Sequence, residues 1–163
     1  MESDAAQEIH DILEEFGDND AVIDITHMSG IVTAVTSLDP FVVVEKIKKR
    51  ILDEPWNVRY CHRIIPIQET VSTEKEDIVN AVINHATTIE SNNTYRITVE
   101  KRHSAISTNE IISGIADKID RKVSLEQFDW VILVEILGNK TGISVLKEDN
   151  IVSTQKLKRS LSE

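Results

Sequence analysis

The eight residues from Trp130 to Leu137, Trp-Val-Ile-Leu-Val-Glu-Ile-Leu, are nearly all apolar. A strand with one solvent face alternates apolar and polar residues, whereas a strand covered on both faces reads as a continuous apolar run. The run therefore predicts a central strand that needs neighbouring strands and covering helices. A turn at residues 138–140 and a last strand over residues 141–146 are expected to follow it.

The rest of the sequence alternates helical and extended patterns. Helices are predicted at residues 4–16, 40–54, 73–89 and 109–120, with Asp39 as one cap and capping boxes at Thr73 and Ser107. Strands are predicted at residues 21–26 and 31–36, which form a hairpin, and at 57–68 and 95–100. The order α-β-β-α, then β-α-β-α-β-β, indicates a mixed α/β (α+β) fold with parallel and antiparallel strand pairs.

Pro55-Trp56 is the predicted boundary between two subdomains. We expect an N-terminal subdomain over residues 1–56, a second domain over residues 57–150, and a polar, basic tail over residues 151–163.

The charge is unevenly distributed. The net charge is −10, and residues 1–39 contain ten acidic residues and no Lys or Arg, so the remainder of the chain is neutral. Such asymmetry indicates different partners for the two parts of a chain. The alternative is an acidic helix that only keeps the protein in solution.

Secretion and membrane insertion are not indicated. No stretch reaches the roughly 18 apolar residues of a spanning helix, and the first residues lack the pattern of a signal peptide. A single cysteine excludes a disulfide framework. We therefore expect a soluble, cytoplasmic protein.

Motifs of covalent chemistry are missing from the sequence. It contains no G-x-G-x-x-G, no G-x-x-x-x-G-K-[ST] and no G-x-S-x-G, and its five histidines lack metal-ligand spacing. Cys61 and His62 are adjacent on a predicted strand, so their side chains point to opposite faces. We expect no catalytic residue, no metal and no cofactor, and therefore no enzyme activity.

Short basic clusters at the ends of predicted elements are the remaining candidates. They are Arg59 and Arg63, Arg96, Lys101-Arg102-His103, Arg121-Lys122, and Lys156-Lys158-Arg159. Arginine suits bidentate phosphate contacts, and lysine adds point charges. If the clusters converge they form a positive groove; if they scatter, they only solvate the surface.

Residues 59–147 resemble a THUMP domain, the RNA-binding module of thiouridine synthases, RNA methylases and pseudouridine synthases. The resemblance is carried by five segments: Arg63–Ile67, Tyr95–His103, Asn109–Ile112, Asp129–Ile136 and Gly142–Val145. Residues 11–55 resemble the ferredoxin-like segment that precedes such domains. Together these imply a ferredoxin-like N-terminal subdomain followed by a THUMP domain with a mixed parallel and antiparallel sheet.

The architecture is most similar to stand-alone THUMP proteins that assist a tRNA cytidine acetyltransferase in forming N4-acetylcytidine. The resemblance implies a non-catalytic adaptor that binds the acceptor end of tRNA. Two alternatives are the RNA-binding half of a split thiouridine synthase or RNA methyltransferase, and a protein-interaction module that uses the acidic region. The implied RNA-binding residues are Arg63, Arg96, Lys101, Arg102, His103 and Asn109, with Lys156 and Lys158 from the basic tail.

The resembling segment normally starts with a strand before its first helix, and this sequence starts at the helix, as a truncated chain would. Without that strand, residues 31–36 and 57–68 would have unpaired backbone groups, which are costly when buried. We expect either a rearranged sheet or a gap filled by a second copy. The oligomeric state stays open.

Overall fold

The computed structural model describes residues 1–162. Its helices are α1 (Glu2–Glu15), α2 (Pro40–Asp53), α3 (Lys75–His85), α4 (Thr108–Lys118) and α5 (Thr154–Leu161). Its strands are β1 (Val22–Ile25), β2 (Val32–Val35), β3 (Arg63–Ile64), β4 (Glu69–Ser72), β5 (Thr94–Arg102), β6 (Lys122–Val123), β7 (Trp130–Leu137), β8 (Lys140–Leu146) and β9 (Val152–Ser153). The chain forms two compact units: Met1–Pro66 with the segment from Asp149 onward, and Ile67–Glu148.

The second unit is built on a five-stranded sheet in the order β4-β8-β7-β5-β6. β5 runs parallel to β7, with Tyr95 opposite Trp130 and Arg102 opposite Leu137. β8 is antiparallel to both β7 and β4, while β6 is parallel to β5. The expected mixed sheet is therefore confirmed, with β7 as its central strand.

Burial of β7 follows from its composition. Six consecutive residues, 131–136, are buried, so both faces of the strand are covered, as predicted. Ile132, Val134 and Ile136 belong to a core that includes residues of α3 and α4. These two helices approach closely at Gly114, where a Cβ would lie 3.1 Å from Cγ2 of Val79. A Cβ at this position would also lie 3.1 Å from Cε of Lys75, so either side chain would have to shift by a few tenths of an ångström to accept a larger residue.

The two predicted capping boxes have different outcomes. Ser107 caps α4, and its hydroxyl accepts a hydrogen bond from the backbone N–H of Glu110 at 3.3 Å. Thr73 does not cap α3, since its Oγ1 lies 2.9 Å from Oγ1 of Thr141 and the residue before the helix is Glu74. The capping box predicted at Thr73 is therefore wrong, because a partner distant in sequence takes the hydroxyl.

The N-terminal part of the first unit follows the predicted order. β1 and β2 form the expected antiparallel hairpin, with Val22 opposite Val35. Asp39 caps α2 by accepting a hydrogen bond from the N–H of Phe41 at 2.9 Å, and Pro40 occupies the first helical turn. α1, α2 and α5 pack around a shared apolar core with Val58 and Val152.

The last segment of the chain differs from the expected tail. Val152 is buried in β9, which pairs with β3, and Leu157 of α5 packs against the core of the first unit. The compact units therefore divide the chain differently from the expected boundaries at 56 and 150. Val152 thus pairs with strand β3 and is buried in the apolar core, and Leu157 packs against the same core, although both residues lie in a mainly polar stretch of sequence.

The sheet of the first unit is rearranged relative to a four-stranded ferredoxin-like sheet. Within residues 1–66 and 149–162, the strands form two separate two-stranded sheets, β1–β2 and β3–β9. The predicted long strand over residues 57–68 is reduced to β3, and the preceding residues form a short 3-10 turn, Pro55–Asn57, and a loop.

Seven of the ten acidic residues in the N-terminal region make contacts within the first unit. The carboxylate of Glu8 accepts hydrogen bonds from the N–H groups of three consecutive residues, 59–61, and Glu15 pairs with Arg50 at 2.6 Å. Glu2 accepts from the N–H of Gly30, and Asp39 caps α2. Part of the acidity is thus used in folding, a role considered by neither interpretation of the charge asymmetry.

Asp18 is the most buried of these acids, at 5% exposure. Its carboxylate accepts hydrogen bonds from the Thr36 hydroxyl at 2.5 Å, from the N–H of Ser37 at 3.1 Å and from the N–H of Asp20 at 3.0 Å. The Thr36 hydroxyl, followed by the backbone donors, lowers the pKa of Asp18 because these bonds stabilise the charged form.

We predict that Asp18→Asn makes the free energy of unfolding of the first unit less dependent on pH between pH 7 and pH 3. A lowered folded-state pKa adds stability above the ordinary aspartate pKa of about 3.9, and that stability is lost as the pH falls through the folded pKa. Urea unfolding at pH 7 and at pH 3 should therefore differ less in the variant than in the wild type. Asp24→Asn, at an exposed position on β1, is the matched control. An unchanged pH dependence in Asp18→Asn would contradict the prediction.

Among residues 1–162, none of the helices combines the length and the apolar character needed to cross a bilayer.

Candidate nucleic-acid interface

Strand β5 separates the basic residues that the sequence placed together. Tyr95, Ile97 and Val99 pack against the core formed with α3 and α4, and alternation puts Lys101 on that same side. Arg96 and Arg102 therefore lie on the opposite face of the strand. Adjacent sequence positions on a strand cannot present their charges to one flat ligand on one face.

Arg96 is exposed and supported by the loop before β7. Its guanidinium carbon lies 5.8 Å from the centroid of the Phe128 ring, and its Nη1 donates a hydrogen bond to the carbonyl of Leu125 at 3.3 Å. These contacts hold the side chain in one orientation and leave other N–H groups of the guanidinium to bind an anion. Among the predicted residues on β5, Arg96 is the best placed for phosphate contact.

Arg102 forms an ion pair within the sheet. Its Nη1 lies 3.0 Å from Oε2 of Glu135, a carboxylate that is 8% exposed on the central strand β7. Glu100 is a second acid on this face, opposite Glu135 in the register of β5 and β7. Arg102 thus offsets neighbouring carboxylates. The sequence signal for this role was the single acid within the apolar run 130–137.

Lys101, His103 and Asn109 mark the connection from β5 to α4. The Nζ of Lys101 donates to the carbonyl of Ile106 at 2.9 Å, just before the Ser107 cap. His103 follows the strand with a φ of 55°, a left-handed conformation that turns the chain towards the helix. Asn109 is exposed in the first turn of α4. The structure brings these three residues to one end of the second unit.

The other three predicted residues belong to the first unit. Arg63 stands opposite Ser153 in the β3–β9 pair, and α5, with Lys156 and Lys158, follows directly. The Nζ of Lys158 donates to the carbonyl of Val58 at 2.7 Å, which gives this residue a structural role. Lys156 is exposed. The eight predicted residues are thus divided between the units, and one shared positive surface stays a prediction.

The cysteine does not contribute a nucleophile. Burial, with the Glu8 carboxylate beside it, raises the pKa of the Cys61 thiol to about 12. The thiol is therefore protonated at neutral pH, and only a thiolate is a strong nucleophile.

The second unit is an α/β module, because α3 and α4 pack on one face of its five-stranded mixed sheet. Comparison with protein-family models shows which family of α/β modules this is. Residues 72–146 match the model of the THUMP domain. This segment of the chain is therefore a THUMP domain. The match lies within the second unit. It begins at residue 72, whereas the resemblance in the sequence begins at residue 59.

Several solved structures share the fold at low sequence identity. PH1313 from Pyrococcus horikoshii Ot3 is 16% identical with a TM-score of 0.65, over 90% of this chain and 50% of that one. A 4-thiouridine synthetase in complex with RNA and bound ATP is 14% identical with a TM-score of 0.53, over 89% and 37%. TrmN from Thermus thermophilus is 11% identical with a TM-score of 0.51, over 86% and 41%.

The chain spans half or less of the length of these three structures. A search of curated protein sequences finds no match.

Proposed function

We propose that this protein is a non-catalytic tRNA-binding adaptor that presents the acceptor end of tRNA to a separate modifying enzyme. The observation that carries the proposal is the THUMP domain at residues 72–146. The fold shared with a 4-thiouridine synthetase–RNA complex supports RNA as the ligand class. The exposed Arg96, and Lys101 beside α4, offer cations to the phosphate backbone.

The finer part of the proposal is the partner, a tRNA cytidine acetyltransferase that forms N4-acetylcytidine. It is supported by the resemblance to stand-alone THUMP proteins and by the lack of nucleotide-binding and nucleophile motifs in the sequence. In this arrangement the adaptor supplies affinity and orientation for the tRNA, and the partner supplies the chemistry.

The double variant Arg96→Ala/Lys101→Ala tests RNA binding. Each phosphate contact releases counterions, so losing one contact should lower the slope of log K against log salt by about 0.9. We expect weaker binding to all tRNAs and a slope reduced by about one to two units in a filter-binding salt series. Lys118→Ala, at an exposed site in the last turn of α4, is the control for the loss of one positive charge elsewhere on the same unit. Equal affinity of the double variant and the wild type would remove these residues from the interface.

A second candidate function is the RNA-binding half of a split thiouridine synthase or RNA methyltransferase. It is favoured by the fact that the chain spans half or less of the solved structures that share its fold. Mass spectrometry of tRNA nucleosides separates the candidates. With the adaptor, N4-acetylcytidine should rise only when the acetyltransferase and acetyl-CoA are also present. A new thiolated or methylated nucleoside formed with the complementary enzyme half would support the split enzyme instead.

A further inference from the structure

An aromatic side chain is exposed in the segment between α2 and β3. Trp56 lies in the 3-10 turn Pro55–Asn57 and is 62% exposed, so the ring contributes little to the core. An exposed tryptophan presents a large flat surface that binds other rings by stacking.

The backbone around Trp56 is held firmly. The Glu8 carboxylate accepts hydrogen bonds from the N–H of Arg59 at 2.7 Å and of Cys61 at 3.0 Å. The Nε of Arg59 donates to the carbonyl of Trp56 at 3.1 Å, and Val58 is completely buried. A platform fixed in this way loses little conformational entropy when a ligand binds.

The same segment contributes two arginines. Residues 55–68 contain Arg59 and Arg63 and no Asp or Glu, while Asp53 and Glu54 precede the segment and the Glu8 carboxylate is taken up by the N–H groups of residues 59–61. The basic helix α5 is tied to the segment, because Lys158 donates to the carbonyl of Val58 and the Thr154 hydroxyl donates to the carbonyl of Cys61 at 2.5 Å. Aromatic rings next to cations are typical of surfaces that bind single-stranded nucleic acid.

A groove next to this segment is lined by carboxylates, which would repel the phosphates of a nucleic acid. Tyr60 lines a groove of about 560 Å³ together with carboxylates of α1, among them Asp4, Glu8 and Asp11. Glu54 and Asn57 also line this groove, whereas Trp56 and Arg59 are not among the described residues that line it. Phosphates are thus expected to lie against Trp56 and Arg59 and away from Tyr60.

We propose that Trp56 is a stacking site for an unpaired nucleotide, with Arg59 and Arg63 contacting the adjacent phosphates. The inference rests on the proposed RNA binding and adds a requirement for an unpaired end or loop. The bases of a duplex are already stacked on each other, so their faces are covered, whereas an unpaired base can lie flat on an aromatic ring.

Tryptophan fluorescence gives a direct test, since the chain contains only Trp56 and Trp130. Trp130→Phe leaves Trp56 as the sole reporter, and a thermal melt checks that this variant is folded. Titration with a tRNA that carries its unpaired 3′ end should quench the emission. A blunt RNA duplex with the same number of phosphates should bind without comparable quenching.

Affinity measurements on otherwise wild-type protein complete the test. Trp56→Ala should weaken binding of the RNA with the unpaired end by about 5- to 150-fold, corresponding to about 1–3 kcal/mol per stacked base. Trp56→Phe should retain most of the affinity, and blunt-duplex binding should not change. Val35→Ala, at a 68% exposed apolar position of β2, is the control.

The possible failures are distinguishable. If wild-type protein binds RNA while Trp56→Ala binds every RNA equally well and no quenching occurs, the stacking site is wrong and RNA binding stands. If wild-type protein binds none of these RNAs, both proposals are wrong, and the exposed tryptophan is then a candidate contact for a protein partner.

Discussion

Ending the chain at Asn150 is expected to unfold the first unit. The truncation removes β9 and α5, and with them the buried Val152 and the core contacts of Leu157. Burying an aliphatic side chain contributes about 1.5–3 kcal/mol, and the lost hydrogen bonds of Thr154 add about 1 kcal/mol each. The sum is a large share of the 5–15 kcal/mol that stabilises an ordinary domain.

Hydrogen exchange is the suitable measurement because it reports on each helix separately. Amides of α1 and α2 should lose their protection in the truncated chain. A chain ended at Ser160, which keeps β9 and most of α5, should behave like the full-length protein. Unchanged protection of α1 and α2 after truncation at Asn150 would show that the last segment is dispensable for folding.

Arg102→Ala should destabilise the THUMP domain by about 1–3 kcal/mol. The substitution leaves Glu135 charged and largely buried on the central strand, with its partner 3.0 Å away removed. Breaking a fully buried pair costs about 3–5 kcal/mol, and the smaller value applies here because the Arg102 side chain is 37% exposed and water can reach the site. Urea unfolding monitored by circular dichroism measures the change.

A second substitution separates this effect from loss of an RNA contact. Glu135→Gln in the Arg102→Ala background removes the unpaired charge, so stability should recover. Lys101→Ala, next to Arg102 but at an exposed position, should change stability by less than about 0.5 kcal/mol. If the double variant regains stability and still binds tRNA weakly, Arg102 contacts RNA directly; equal stability of Arg102→Ala and wild type would contradict the role assigned to the ion pair.

Elements specified by neighbouring residues were predictable from the sequence. The Ser107 cap, the Asp39-Pro40 start of α2 and the β1–β2 hairpin all depend on contacts within a few residues. The apolar run of β7 was equally informative, because a strand of that composition is stable only when both of its faces are covered. Local hydrogen bonding and hydrophobic periodicity are sufficient for such predictions.

The candidate site was predicted less completely. The residue types on β5 were recognisable, but the sequence did not show that Lys101 faces away from Arg96 and Arg102, or that Glu135 pairs with Arg102. The direction in which Lys101 points depends on which face of the strand the helices cover. The contact between Arg102 and Glu135 depends on the pairing of two strands, which joins residues 33 positions apart in the sequence. A basic residue read from the sequence is an equally good candidate for a salt bridge and for a phosphate contact until its neighbours are known.

The sequence by itself thus determined the order and type of most elements, the THUMP-like strands and the position of the central strand. Only the tertiary structure decided that Val152 and Ser153 complete a ladder with β3, that Thr141 engages Thr73, and that acids such as Glu8 and Asp18 bind backbone groups of the first unit. These contacts join residues far apart in the chain. Each strand edge and each buried polar group must find a partner, but the need for a partner does not encode which distant residue supplies it.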